Sequence, residues 1–341
     1  MRNKTVTVLF LWKPTGELRD YLSHGLSNHD TIHLVFPESS YDHTVSDYAP
    51  SADIIIGWRP DAEVFKNANQ LKLFINPGAG VQHLIDLFRE RTRSHETVLV
   101  NGHGNAYFTA QHGVALLLAL TNKIIDHHIW MKSGKWRTGD SEASSIPLRE
   151  RHIGLLGYGA VNSTIHRLLA GFDVTFSICR HSGSDIEFSR ENIHGIYPAE
   201  DLNIFLDQVD ILIIAVPLTD KTRDMIGFAE LNRLGTDSLI VNLSRGPVVN
   251  ENALFLALSE SKISGAAIDV WYDYSPEPDA DGFRFPAHLP FHELDNVVLS
   301  PHRAASPFND LRRWDEVIEN ISRFADGRKD FINVVDLERG Y

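Results

Sequence analysis

Two α/β domains, each a parallel, doubly wound sheet, are predicted by three observations. Short apolar runs of strand length alternate with amphipathic segments through most of the chain. The run Ile153-Gly154-Leu155-Leu156 feeds the glycine pair of Gly157-Tyr158-Gly159, and a helical pattern from Ser163 to Ala170 follows it. The 341 residues exceed one typical core and suit two.

Taken in order, the short apolar runs Val6–Leu11, Thr31–Phe36, Ile54–Ile56, Leu73–Ile75 and Val98–Val100 read as buried strands. Leu18–Leu26 and Val81–Phe88 read as helices between them. From Ala110 to Ala119 the sequence is richly apolar and continues towards Trp136, as expected of long helices carrying the chain from one domain to the next. Ser141–Leu148 is polar and loop-like. A second series follows, with strands at Ile153–Leu156, Val174–Cys179, Ile211–Val216, Leu239–Asn242, Gly265–Val270 and Val297–Ser300. A final helix spans Leu311–Phe324, its apolar residues at Leu311, Trp314, Val317, Ile318, Ile321 and Phe324 falling at helical spacing. The first domain is expected to be discontinuous, residues 1–123 with 303–341, and the second to run over 124–302.

Composition narrows the function classes. Hydrophobic and charged fractions of 43% and 23% are those of an ordinary globular protein. A formal net charge of -13 argues against nucleic acid or an anionic membrane as partner. The single cysteine, Cys179, excludes an intrachain disulfide and suits a reducing, cytoplasmic setting. Residues 1–10 read as a first strand and not a signal segment, and no apolar stretch is long enough to span a bilayer. His288 and His292 lie among prolines and not on one helical face, and His127 and His128 are adjacent, so no metal site is expected.

The glycine turn carries the first chemistry. A strand, a G-x-G turn and a helix aim backbone N–H groups and the positive helix end at a pyrophosphate. Gly157 permits the tight turn, and Gly159 lets phosphate approach the backbone; Tyr158, Ala160 and Val161 complete the segment. Asn162 stands where a third glycine would complete the fingerprint, so closer helix–strand packing is not expected there. The residue about 20 positions on, which is acidic where NAD ribose is bound, is here Arg180, followed by His181 and Ser182. A guanidinium attracts a 2′-phosphate, so NADP(H) is expected as the preferred cofactor, with NAD(H) possible through Asp185 or Glu187.

The second chemistry lies at the strand ends. Arg245 follows Leu239–Asn242, Asp269 ends Gly265–Val270, Glu277 lies in Ser275-Pro276-Glu277-Pro278, and His302 follows Val297–Ser300 in Ser300-Pro301-His302. A cation, carboxylates and an imidazole at one sheet edge can protonate a carbonyl oxygen while holding a neighbouring carboxylate.

These motifs resemble the D-isomer-specific 2-hydroxyacid dehydrogenase family, in particular its glyoxylate/hydroxypyruvate reductases, over nearly the whole chain. The matching pieces are the G-x-G turn, Val216-Pro217-Leu218-Thr219, Asn242-x-x-Arg245-Gly246, Ile268-Asp269-Val270, Ser300-Pro301-His302, Asn76-Pro77-Gly78-Ala79-Gly80 and the interdomain residues Asn105 and Ala110-Gln111-His112. The resemblance implies two Rossmann-like domains around a cleft, a homodimer formed through helices near Ile124–Trp136, and hydride transfer between NAD(P)H and a small 2-keto or D-2-hydroxy acid. It implies His302 as general acid/base, Arg245 as clamp on the substrate carboxylate and Glu277 as the partner that charges the imidazole. Gly78, Ala79 and Gly80 would form the carboxylate loop. Val216, Pro217, Thr222, Leu243, Ser244 and Asp269 would line the cofactor. The family's Glu lies about five residues after the Asp of Asp-Val, which here falls on Tyr274; Glu277 is preferred because the Glu-Pro pair survives, with Asp273 as the fallback. The rival readings are a formate- or phosphite-type dehydrogenase of the same fold and a catalytically silent nucleotide-sensing protein.

Overall fold

The computed structural model describes residues 5–39, 43–137, 144–181, 192–305 and 310–341. The chain divides into two compact units, Met1–Asn105 with Pro307–Tyr341, and Ala106–Ser306.

The first unit runs β1 (Val6–Phe10), α1 (Gly16–Gly25), β2 (Ile32–Val35), α2 (Thr44–Tyr48), β3 (Ile54–Ile56), α3 (Ala62–Asn67), β4 (Leu73–Asn76), α4 (Ile85–Arg91) and β5 (Val98–Asn101). Its five strands lie in the order β2-β1-β3-β4-β5 and all pair in parallel. Successive strand residues enter different cores: Val8 and Phe10 join Leu18, Trp314 and Ile321 on one face, while Leu9 joins Phe65, Phe74 and Phe88 on the other. This two-sided burial is why the inner strands β3 and β4 read as apolar runs, while the edge strand β2 carries the exposed His33.

The second unit begins with α5 (Ala106–Thr121) and α6 (Ile124–Lys132). It continues through β6 (His152–Leu156), α7 (Ala160–Leu169), β7 (Thr175–Arg180), β8 (Ile193–Pro198), α8 (Leu202–Leu206), β9 (Ile211–Ile214), α9 (Phe228–Leu234), β10 (Leu239–Asn242), α10 (Glu251–Ser259), β11 (Gly265–Ile268) and β12 (Val297–Leu299). The seven strands are parallel, in the order β12-β11-β10-β9-β6-β7-β8. The last helix, α11 (Asp315–Ala325), belongs to the first unit and follows a short 3₁₀ turn, Leu311–Trp314.

Two features differ from the sequence expectation. Strand β8 has no apolar run: it is an edge strand whose residues are half-buried or exposed, and Gly195 and His194 dilute its pattern. Helix α5 lies within the second compact unit, starting at Ala106, because Ala110, Leu117 and Leu120 share a core with Ile165 and Leu169 of α7 and with Ile153, Val241 and Ala267 of the sheet. The expected division at 123/124 lies one helix further along.

Both sheets reverse their winding direction at one point, between β1 and β3 and between β6 and β9. Beyond the carboxyl ends at such a reversal, neighbouring connections leave on opposite faces and open a crevice for ligands. The glycine turn after β6 and Val216 after β9 stand at that place in the second unit.

Candidate active site

The turn after β6 is shaped by two different glycines. Gly157 has φ +81°, and a Cβ there would lie 2.6 Å from the carbonyl oxygen of Ala215, so only glycine fits beside β9. Gly159 has ordinary backbone and open space where its Cβ would be; it caps α7 without a side-chain hydrogen bond. The N–H groups of the first turn of α7 therefore face outward past a residue with no side chain, which fits a pyrophosphate.

Asn162 proves to be a structural tie and not a gap in the fingerprint. It is fully buried, and its amide nitrogen donates to the carbonyls of Leu156, Gly157 (2.7 Å) and Ile213. The phenol of Tyr158 is paired with Nδ1 of His166 at 2.8 Å.

Arg180 ends β7 half-buried, and His181 after it is exposed. Among the described residues the Arg180 guanidinium meets no hydrogen-bond or ion-pair partner. Ser182, Asp185 and Glu187 lie outside the described residues.

The remaining expected cofactor contacts are mostly engaged in local structure. Val216 is half-buried and Pro217 exposed; the hydroxyl of Thr222 donates to the carbonyl of Pro217 (2.6 Å) and accepts the N–H of Thr219 (2.8 Å), locking that turn. Leu243 is core, its side chain lying against Gly113 of α5. Ser244 is buried and donates from its hydroxyl to Oδ1 of Asn242 at 2.9 Å.

At the ends of β10, β11 and β12 the second unit gathers Arg245, Asp269, Tyr274 and His302. Arg245 is half-buried in extended conformation, and its Nη1 donates to the carbonyl of Ser244 (2.6 Å). Burial lowers its pKa, opposed by the nearby phenol of Tyr274, but a guanidinium starts so high that it keeps its charge.

Asp269 is buried, and its carboxylate accepts from the Ser300 hydroxyl, the N–H of Arg303 (2.7 Å) and the N–H of Ala304 (3.0 Å). His112 from α5 approaches the same carboxylate at 3.6 Å and pairs with the Ser300 oxygen at 2.9 Å. Burial works against the charge, yet these donors outweigh it and hold the carboxyl below its usual range. Asp269 thereby fixes the loop that carries His302.

His302 has φ +54°, a conformation that costs about 1–3 kcal/mol in a residue with a side chain and persists where surroundings enforce it. Its Nδ1 lies 2.7 Å from the hydroxyl of Tyr274, with the rings edge to face at 5.3 Å. His302 is exposed at the surface, so its withdrawal from water is only partial; that and the Arg245 guanidinium push the imidazole pKa below its ordinary value, while Asp269 pulls the other way and Arg303 adds to the lowering. Among the described residues Nε2 has no protein partner.

The expected partner of that imidazole is corrected here. Glu277 is exposed, and among the described residues it makes no hydrogen bond or ion pair. Asp273 is occupied in its own loop, its carboxylate accepting the N–H of Ser275 at 2.8 Å. Tyr274, five residues after Asp269, stands at the ring. The count along the chain pointed to it; the surviving Glu-Pro pair drew the reading three residues too far, because spacing does not reveal how a proline-rich loop turns.

The first unit presents its own arrangement at the end of β4. Asn76 donates from its amide to the carbonyls of Gly78 and Gly80, and Asn101, its register partner on β5, donates to Ala79 at 2.8 Å. In a trans peptide the N–H points opposite to the carbonyl. With all three carbonyls turned onto the two asparagines, the N–H groups of Ala79, Gly80 and Val81 point the other way, a concave set suited to an anion. The sequence reading had named the loop and missed Asn101 as its second support. Beside it, Trp58 packs against Trp12 (4.7 Å between ring centroids) and Trp314 (6.4 Å).

Comparison with known proteins agrees with this picture. Residues 114–304 match the family model for the D-isomer specific 2-hydroxyacid dehydrogenase, NAD binding domain. The chain is 30% identical over 273 residues to a glyoxylate reductase of Korarchaeum cryptofilum, covering 78% of this chain and 77% of that protein. A glyoxylate reductase of Pyrococcus furiosus is 32% identical over 278 residues, 79% and 77% of the two chains. Two solved structures share the fold at lower identity. A D-isomer specific 2-hydroxyacid dehydrogenase from Xanthobacter autotrophicus, solved with NADPH and MES, superposes with a TM-score of 0.79 at 24% identity, covering 99% of this chain and 100% of that one. The NADPH-dependent glyoxylate/hydroxypyruvate reductase SmGhrA of Sinorhizobium meliloti, solved with NADP and sulfate, gives 0.78 at 22% identity over 99% and 100%. A glycine turn at a sheet reversal, an arginine and a histidine at the ends of β10 and β12, and these matches together establish that the chain belongs to the D-isomer-specific 2-hydroxyacid dehydrogenase family of NAD(P)-dependent oxidoreductases.

Proposed function

We propose that the protein reduces a small 2-keto acid to its D-2-hydroxy acid, with NADP(H) preferred over NAD(H). The observation that carries this reading is the grouping of Arg245 with His302 at the ends of β10 and β12, Nε2 of the imidazole being free of protein partners among the described residues. Arg245 pairs with the substrate carboxylate and polarises the adjacent carbonyl, where a planar fork serves better than an ammonium. In the first unit, the N–H groups of Ala79 and Gly80 form a donor set of their own that suits a carboxylate. His302 exchanges the proton with the substrate oxygen through Nε2, a role worth typically about 10²–10⁴-fold. The nicotinamide, when bound, supplies or accepts the hydride.

NADP(H) is favoured by Arg180, a half-buried cation at the strand end where an NAD enzyme places a carboxylate. A homodimer fits the exposed Ile129 (57%), Met131 (57%) and Trp136 (70%) on and just after α6. Among the described residues no helix is long and apolar enough to cross a membrane. A reducing cytoplasm fits Cys179, whose thiol is buried and pushed up to about 12.

The test follows nicotinamide absorbance with NADPH and NADH over glyoxylate, hydroxypyruvate, pyruvate and phenylpyruvate. Turnover of at least one, reduced by about 10²-fold or more in H302A, is expected. Turnover unaffected by that substitution would remove the mechanism, and none with any keto acid would favour the formate-type or silent readings.

A further inference from the structure

Among the described residues the phenol oxygen of Tyr274 has two hydrogen-bond partners: Nδ1 of His302 at 2.7 Å and the backbone N–H of Trp271, which donates to it across 3.3 Å. The Trp271 N–H takes one acceptor position of the oxygen, which leaves the phenol proton free to point at the imidazole. A carboxylate in this place could only accept; it would hold the proton on Nδ1 and favour the imidazolium. A phenol donates as well as accepts and brings no charge of its own. The charged groups that act on the ring are otherwise Arg245 and Arg303, both cations, and Asp269, whose carboxylate already serves Ser300, Arg303 and Ala304. Among the described residues no carboxylate is dedicated to the ring to compensate a further positive charge beside Arg245 and Arg303.

We infer that Tyr274 is the positioning residue of His302, and that it presents the imidazole uncharged, with its proton on Nε2 and Nδ1 accepting from the phenol. Keto-acid reduction needs the imidazolium: the Nε2 proton passes to the substrate oxygen as hydride reaches the carbonyl carbon, leaving a neutral ring whose remaining proton is on Nδ1, donated to Tyr274. That charged form is populated only on the acid side. The uncharged ring, after a tautomeric shift that frees Nε2, is the base for the reverse oxidation at neutral pH. The direction of this effect rests on the proposed keto-acid chemistry; the state of the ring does not.

The experiment is therefore read first on the protein alone. Full-length chain labelled with ¹⁵N-histidine is titrated by NMR, the His302 signals being identified by their loss in H302N. The expected midpoint lies below about 6.5, with the neutral ring protonated on Nε2. In Y274E the midpoint rises by about 1–3 pH units and the proton moves to Nδ1; in Y274F the Nε2–H preference is lost. The alkaline limb of kcat/KM for whichever keto acid is turned over, where rate falls as the imidazolium loses its proton, moves to higher pH in Y274E in parallel. A wild-type midpoint above 7, a neutral ring protonated on Nδ1, or a ring indifferent to both substitutions overturns the inference. The expected titrations without keto-acid turnover would instead uphold it and discard the proposed substrate.

Discussion

The carboxylate of Asp269 holds the backbone N–H of Ala304 at 3.0 Å, two residues beyond His302, so a strand end on β11 anchors the loop that follows β12. The left-handed backbone of His302 is sustained by this tie. Replacing Asp269 by Asn keeps the size but turns an acceptor into a donor facing one of these N–H groups. We expect D269N to lose about 2–3 kcal/mol of stability, measured by denaturant unfolding, and kcat to fall further than KM changes. Unaltered stability would show that the carboxylate does not hold the loop.

Asn101 supports the anion-facing loop through one amide hydrogen bond, to the carbonyl of Ala79. N101A frees that carbonyl and lets the Ala79–Gly80 peptide rotate. KM for the keto acid should rise about tenfold, the equivalent of about 1.4 kcal/mol of lost binding, with kcat changed less. Steady-state kinetics at saturating NADPH check this, and a pure kcat defect would separate the loop from carboxylate binding.

Arg180 tests the cofactor reading. In R180D the cation becomes a carboxylate, which repels a 2′-phosphate and suits free ribose hydroxyls. The ratio of kcat/KM for NADPH over NADH should fall by at least about tenfold, since a lost charge-assisted bond is worth about 1.5–3 kcal/mol. A ratio that stays put assigns the preference elsewhere.

Stability should depend on pH through half-buried imidazoles. His103 and His152 both have lowered pKa values, chiefly from burial; Glu316 opposes this at His103, and at His152 the neighbouring His194 adds to it while Asp210 opposes it. Each binds its proton more readily in the unfolded chain, so the stabilisation is complete above the ordinary histidine value of about 6.5 and is lost as pH falls through the lower folded values. Asp269, held below its usual range, adds a second loss at more acid pH. Thermal melts should therefore show Tm declining between pH 7.5 and 5, with a shallower slope in H103N. A Tm that rises over that interval contradicts the assignment.

Much of the fold was legible because parallel strands buried on both faces write themselves as apolar runs: eleven of the twelve strands coincide with predicted ones to within a residue or two. Strand β8 was not: its edge position leaves it half-exposed, as at β2 and β12, and His194, Gly195 and Pro198 also break its apolar run. In the site, Arg245, Asp269 and His302 were legible because each sits just past a readable strand, where position follows from topology. Tyr274 was not, because Trp271 to Pro290 is a loop whose course depends on tertiary contacts such as the Trp271 indole donating to the carbonyl of Ser300. Asn101 was hidden for a different reason: its partner is 22 residues away, joined to it only by strand register.

The buried amide of Asn162 links the strand end, the glycine turn and the neighbouring strand from beneath. The contour that meets a dinucleotide is consequently set when the chain folds, before any nucleotide arrives. Association then forfeits little backbone freedom, and more of the intrinsic contact energy survives as affinity.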